Sequence, residues 1–340
     1  MDFERIKLAD LPMVYVVAEL HLGGRRYLAA ASEARGGRAL IMDPETRETA
    51  DLWLGDTGCM NIVQIPGQER LLAITRFYPV FDSKNAAVCL LEPTEQGYMH
   101  PWRMREVAHV PFCHRIGVVE SSKGLFLLAC QVCGDKAYTE DWSVPGALLT
   151  ARIPEAGDES EWRLTRAYDG LFRNHGLNIE KGSQISISAD NGVLRFDMAD
   201  YSEGDAMIPS HIRKTPTSDI SRWEDESGTL EAAIEPFHGN RGAAYAMEGW
   251  ETKPLASWEI EFGHVVWIGR LCGRRAVILG SRAGREKALE IVPLDTGERL
   301  TLEVGAGPTQ ITVYEEGDDT CILSANHEPG EVLLYKLHSL

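Results

Sequence analysis

Short runs that alternate apolar and polar residues recur along the whole chain, each bounded by Gly, Pro, Asp or Asn, and no stretch carries the period of a long amphipathic helix. That pattern restricts the chain to an all-β fold, because strand side chains alternate between two faces and turn residues must separate the strands. The runs fall into groups of four. Met13 to Leu20, Tyr27 to Ala31, Ala39 to Met42 and Ala50 to Leu54 form the first. Cys59 to Ile65, Leu71 to Arg76, Ala86 to Leu91 and Arg103 to Val107 form the second. The third runs Cys113 to Val119, Leu125 to Cys130, Ala147 to Ile153 and Trp162 to Ala167. Consecutive four-strand units of roughly fifty residues have the rhythm of propeller blades.

The later units are less even. His175 to Glu180, Gln184 to Ala189 and Val193 to Met198 precede a polar stretch, Asp200 to Ser227, which reads as an irregular insertion or lid near 200–228. Leu230 to Ile234, Ala243 to Met247 and Ser257 to Phe262 make a short fifth unit. Val265 to Leu271, Ala276 to Leu279, Ala288 to Val292 and Arg299 to Val304 make a clear sixth. The last unit has three strands, Gln310 to Tyr314, Thr320 to Ser324 and Val332 to Leu337, and Phe3 to Leu8 can supply its fourth. Pairing the N- and C-terminal strands closes the ring and removes exposed sheet edges. The expectation is a single β-propeller over 1–340, with seven blades by this count, although the short fifth unit leaves six or eight open. A chain of 340 residues, 44% hydrophobic and without a Pro/Gly/Ser linker, can bury the core this requires.

Three proposed inner strands open alike. His114 is followed by Ile116 and Val118, His175 by Leu177 and Ile179, and His264 by Val266 and Ile268. In a propeller the first strand of each blade lines the central channel, so the three imidazoles should converge at one mouth. Imidazole nitrogens suit a divalent transition metal, and three ligands leave positions for water or substrate. His238, in Glu235-Pro236-Phe237-His238-Gly239, is a candidate fourth ligand, although its hairpin could lie at the other face. The plainer alternative is that each histidine caps its strand by hydrogen bonding to a neighbouring blade. The other six histidines lack the pattern and read mostly as surface groups.

Polar and aromatic groups accompany these positions. Arg115 should point to the other side of the pleat from His114, Arg173 and Asn174 precede His175, and Arg76 and Tyr78 end a strand in a loop. A guanidinium can hold a carboxylate, and a phenol can move a proton or stack on a sugar. Lys136 and Trp142, in the long connection after Cys130, suit substrate contacts. The Cys130-x-x-Cys133 pair there stands alone, without the partner pair or strand-to-helix setting of zinc or redox motifs. No Gly-rich phosphate loop or Gly-x-Ser-x-Gly elbow is evident.

The charge balance narrows the partners. With 34 basic against 51 acidic residues, net −17, nucleic acid and anionic membrane are disfavoured, leaving a small-molecule or oligosaccharide substrate and room for an oligomer. Neither a signal-like start nor an apolar run of membrane-spanning length (~20 residues) is present, and the seven cysteines are scattered through apolar strands, so the chain reads as cytoplasmic with reduced thiols.

The phrases Arg76-Phe77-Tyr78-Pro79-Val80-Phe81, Pro111-Phe112-Cys113-His114-Arg115-Ile116, Asn174-His175-Gly176-Leu177 and Glu235-Pro236-Phe237-His238-Gly239 resemble a bacterial propeller group related to the propeller domain of aldos-2-ulose dehydratase and, distantly, to propeller polysaccharide lyases. Unlike the fungal enzyme, this sequence has no cupin-like domains after the propeller. The resemblance implies elimination from a sugar or keto-sugar at a metal in the propeller mouth. Tyr78 or a free histidine would then remove the proton, and Arg115 or Arg76 would hold the oxyanion. Two other functions stay open. One is a non-catalytic propeller for protein recognition. The other is a lactonase-like hydrolase, whose calcium would need oxygen ligands such as Asn61, Asn174, Asn178 and Glu235.

Overall fold

The computed structural model describes residues 2–158, 160, 162–249 and 251–338. Seven four-stranded antiparallel sheets make up the chain, and the inner strand of each touches the inner strands of both neighbours, closing a ring. This is a seven-bladed β-propeller. Helix is confined, among the described residues, to one turn at Lys181–Ser183. The inner strands in order are Val14–Leu22, Ile62–Gln64, Cys113–Ser121, Gly176–Ile179, Asp219–Asp225, Gly263–Leu271 and Pro308–Glu316. Phe3–Asp10 pairs antiparallel with Glu331–Leu337 as the outer strand of the seventh blade, the closure expected from the termini.

The stretch read as an insertion contains two blade strands. His211–Arg213 is the outer strand of the fourth blade, and Asp219–Asp225 is the inner strand of the fifth, which therefore has four strands rather than three. Its sequence, DISRWED, hid it. Of its seven side chains only that of Ile220 is buried, because an inner strand turns much of its surface to the channel or to a polar neighbour. In the third blade the outer strand runs Thr165–Leu171, shifted toward the C terminus from the expected Trp162 to Ala167.

The core is a set of layers between blades. One layer joins Val14, Val17 and Leu28 of the first blade to Tyr314, Leu323 and Val332 of the seventh. Others join the fifth blade to the sixth and the sixth to the seventh. The layer between the fourth and fifth blades is thin: its apolar cluster is Val193, Ile220, Ala233, Ala243 and Tyr245. A buried ion network occupies the same interface. Glu231 pairs with Arg195 and with Arg213 (3.1 Å), and Arg213 also meets Glu235 at 2.9 Å.

The cysteines are all free. Burial pushes the thiols of Cys130 and Cys133 up to about 12, which keeps them protonated and unreactive at neutral pH. No helix among the described residues is long and apolar enough to cross a membrane.

Candidate metal centre

The blades enter the channel through a repeated backbone device. Two residues before the channel-facing side chain, the chain adopts a left-handed conformation: Met13 before Tyr15, Gly58 before Met60, Phe112 before His114, Arg173 before His175, Phe262 before His264 and Gly307 before Thr309. Ladder pairing then slips by one residue at Tyr15, His114, His264 and Thr309. A bulge of this kind re-aims the extra residue's side chain. Here it turns Tyr15, His114 and His264 inward at one level. His238 arrives differently, from the hairpin after Gly228–Glu235, and holds a left-handed backbone itself (φ 45°).

The four imidazoles cluster at that level. The rings of His114 and His175 lie 4.4 Å apart between centroids, His175 and His238 4.8 Å, and His175 and His264 5.0 Å. One ligating nitrogen from each of His175, His238 and His264 lies within 4.8 Å of the others. The Nε2 atoms of His175 and His238 are already 3.2 Å apart, against about 3.3 Å for two nitrogens on a tetrahedral ion with bonds of about 2.0–2.1 Å. The Nδ1 atoms of His114 and His175 are buried without a partner. Burial, reinforced by the cations Arg115 and Arg282 and by the other imidazoles, holds His114, His175 and His264 well below the usual histidine range. His238 is pushed down to about 3, again chiefly by burial. All four are therefore neutral at pH 7, the form that ligates metal.

Tyr15 completes the cluster. Its hydroxyl lies 3.2 Å from His114 Nε2 and 3.1 Å from His264 Nε2. His264 Nδ1 donates to the Thr309 carbonyl at 2.9 Å, which leaves Nε2 of the neutral ring as an acceptor. The chain of donors then runs from His114 Nε2–H to the Tyr15 oxygen, and from Tyr15 O–H to His264 Nε2. Burial raises the Tyr15 phenol above its ordinary value, against the opposing pull of Arg115, so it is protonated.

Above the histidines is a cavity of about 350 Å³ walled by Phe77, Phe81, Phe237 and Phe262, with Glu33 and Arg282 at its side. Arg282 bonds Glu33 at 3.1 Å and His327 at 3.3 Å, and His327 meets Glu33 at 2.6 Å. His327 is thus a partly buried partner of the wall residues Glu33 and Arg282 rather than a surface group.

Other expected site residues are placed as follows. Tyr78 turns away from this cavity, its hydroxyl donating to Asp56 with Arg35 stacked on its ring, while the adjacent Phe77 faces the histidines. Arg76 is paired with Glu106 at 2.6 Å and lines neither side of the channel. Arg115 does not point across the pleat. The bulge at His114 resets the alternation, and Arg115 enters the channel just below the histidines, 3.7 Å from Asp219. Arg173 pairs with Asp190 at 2.6 Å with its guanidinium 5.5 Å from the Phe237 ring centroid, and Asn174 is fully buried outside the cavity. Lys136 donates to the carbonyls of Thr139 and Asp141 and packs on Trp142, which backs Phe81 and Phe237. The oxygen groups considered for calcium are occupied or dispersed: Asn61 Oδ1 accepts from the Ile116 amide, and Glu235 is held by Arg213, Arg241 and Tyr245.

These shifts fix a pH dependence for the metal-free protein. With folded-state values below the unfolded 6.5, the four histidines bind fewer protons when folded. Their contribution is complete above pH 6.5 and is lost as pH falls below it, that of His238 down to about 3, at about 1.4 kcal/mol per pH unit for each group that titrates. Asp219 acts oppositely: burial raises it from 3.8 to about 6, so it takes up a proton on folding in that window and offsets one histidine. Urea midpoints should fall steeply between pH 7 and pH 5. A flat profile would contradict the neutral cluster.

No family model matches the chain, and no curated protein matches it. Solved structures do. The CNH domain of AfRom2 superposes with a TM-score of 0.55 at 9% identity, covering 98% of this chain and 99% of that one. A 6-phosphogluconolactonase-like protein from Bacteroides uniformis superposes with a TM-score of 0.56 at 12% identity, covering 94% and 90%. At such identities these neighbours agree with the propeller fold and carry nothing about the site.

Proposed function

We propose that the chain is a metal-dependent carbon–oxygen lyase acting on a sugar- or keto-sugar-like substrate at the propeller mouth. The observation that carries this reading is the convergence of neutral imidazoles from separate blades on the floor of an aromatic-walled cavity. His175, His238 and His264 would hold a divalent transition metal, His264 through the Nε2 that otherwise accepts from Tyr15, which would free the Tyr15 O–H for the substrate. Bound there, the ion would polarise a carbonyl or carboxylate oxygen and acidify the neighbouring C–H.

The rest belongs to the chain's own groups. The faces of Phe77, Phe81, Phe237 and Phe262 suit the C–H faces of a sugar ring, and Arg282 suits a carboxylate or oxyanion. In this reading the base role first expected of Tyr78 or a free histidine falls to His114, the oxyanion role of Arg76 passes to Arg282, and Tyr15 is the acid. His114 takes the proton from carbon. Nδ1 of His114 receives that proton. Tyr15 donates its own proton to the departing β-oxygen and recovers the Nε2 proton of His114 through their hydrogen bond, so water or alcohol leaves. Tyr15 is restored, and His114 is left as the Nδ1–H tautomer until it exchanges protons with water.

Two measurements test this. Purified protein should contain about one transition-metal ion per chain, and should convert uronates or keto-sugars to conjugated products that absorb in the ultraviolet. Tyr15→Phe should keep the metal and lose about 10²–10⁴ in kcat. Protein that is metal-free and indifferent to chelator would defeat the proposal and favour a recognition propeller, in which the histidines only tie blades together.

A further inference from the structure

Below the histidines the channel widens into a second chamber of about 490 Å³, separated from the first by the imidazole layer, with His264 in the wall of both. The proposed elimination does not use it. Its volume falls within the range of small-molecule sites, about 300–1,000 Å³.

The chamber's polar groups come from different blades. Arg115, Asn178, Asp219 and Gln310 line it, on the third, fourth, fifth and seventh inner strands. Their mutual bonding is incomplete. Arg115 Nη2 and Asp219 Oδ2 stand 3.7 Å apart, beyond hydrogen-bond distance, although both side chains are largely shielded from water. Arg115 Nη1 donates to the carbonyl of His114 at 3.3 Å, and Asp219 Oδ1 accepts from the Ile220 amide at 2.8 Å, which leaves Oδ2 facing Arg115 across the gap. Gln310 Oε1 is buried with no partner. Shielded polar groups usually find partners, so this arrangement is suited to a guest that supplies them.

The chemistry of that guest follows from charge and donor type. Arg115 and Asp219 together carry no net charge, which disfavours a strongly anionic or cationic ligand. One group is donor-only, one acceptor-only, and two are amides that do both. A hydroxyl can donate to Asp219 while accepting from Arg115, bridging the gap. We propose that the far chamber is a second binding site, for a neutral polyhydroxylated molecule of monosaccharide size held by Arg115, Asp219, Asn178 and Gln310. This site does not depend on the metal reading.

Calorimetric titration of the full chain with glucose, xylitol, myo-inositol and glucuronate tests it. A neutral polyol should bind saturably. Asp219→Ala and, separately, Asn178→Ala should weaken it, the former about tenfold or more because a bond to a charged group is lost. Melting curves would establish that each variant is folded. His238→Ala, which alters only the upper cavity, should bind as the unmodified chain does. The proposal is overturned if no neutral polyol binds, if glucuronate binds tighter than glucose, if binding survives both variants, or if His238→Ala abolishes it. Metal-free protein that still binds the polyol would refute the lyase reading and leave this one standing.

Discussion

His175→Ala is expected to abolish metal retention, lowering affinity by more than the roughly 10–100-fold that loss of an outer-shell partner costs. His175 is the hub of the cluster. Its ring lies within 5.0 Å of those of His114, His238 and His264, and its Nε2 meets that of His238 at 3.2 Å. Without it the remaining pair of the three-histidine group, His238 and His264, stands 5.3 Å apart between ring centroids, and a two-nitrogen site should release its ion on dialysis. Elemental analysis after dialysis reads the loss directly. Thermal melting gives an independent check, since metal at a hundred times Kd stabilises the unmodified chain by about 2.7 kcal/mol and should do nothing measurable for the variant. His175→Asn, which fills more of the space, should behave the same way. Full retention of metal in either variant would place the ion elsewhere.

Three of the four histidines were legible in the sequence through one property, a position just before or at the start of a strand whose aliphatic residues alternate cleanly, as in His114-x-Ile116-x-Val118, whereas the hairpin of His238 left its face open. Tyr15 and Thr309 occupy equivalent entries but carry no ligand side chain, so nothing drew attention to them until the bulges aligned the blades. The signal was present as a residue able to turn left-handed two places earlier, Met13 or Gly307, but such residues are too varied to read without the backbone. Arg115 was misdirected for the same reason. Strict alternation fails across a bulge, and a one-residue slip reverses every side chain after it. The Asp219–Asp225 strand was hidden because its burial partners are ionic rather than apolar.

The ion network between the fourth and fifth blades gives the second large expectation. Glu231→Ala should destabilise the protein by about 3–5 kcal/mol, because it removes the carboxylate that neutralises two guanidiniums inside a blade interface. Glu231 is fully buried and Arg195 nearly so. Arg213, 3.1 Å from Glu231, also bonds Glu235, which in turn accepts from Arg241 and from the Tyr245 hydroxyl. The interface has little apolar material to fall back on, since Val193, Ile220, Ala233, Ala243 and Tyr245 are its whole described cluster. Removing both charged partners tests the cause. Glu231→Leu combined with Arg195→Met and Arg213→Met should recover most of the loss, because an apolar filling of similar volume costs no unpaired charge. The effect should also reach the metal. Glu231 and Glu235 lie on the strand Gly228–Glu235, and the hairpin that follows carries Phe237 and His238 over the histidine floor. Loosening that strand should weaken metal binding through His238 while leaving His114 and His264 in place. A Glu231→Ala protein that melts within 1 kcal/mol of the unmodified chain would show that the fourth and fifth blades are held by packing, and that the arginine–glutamate network contributes little.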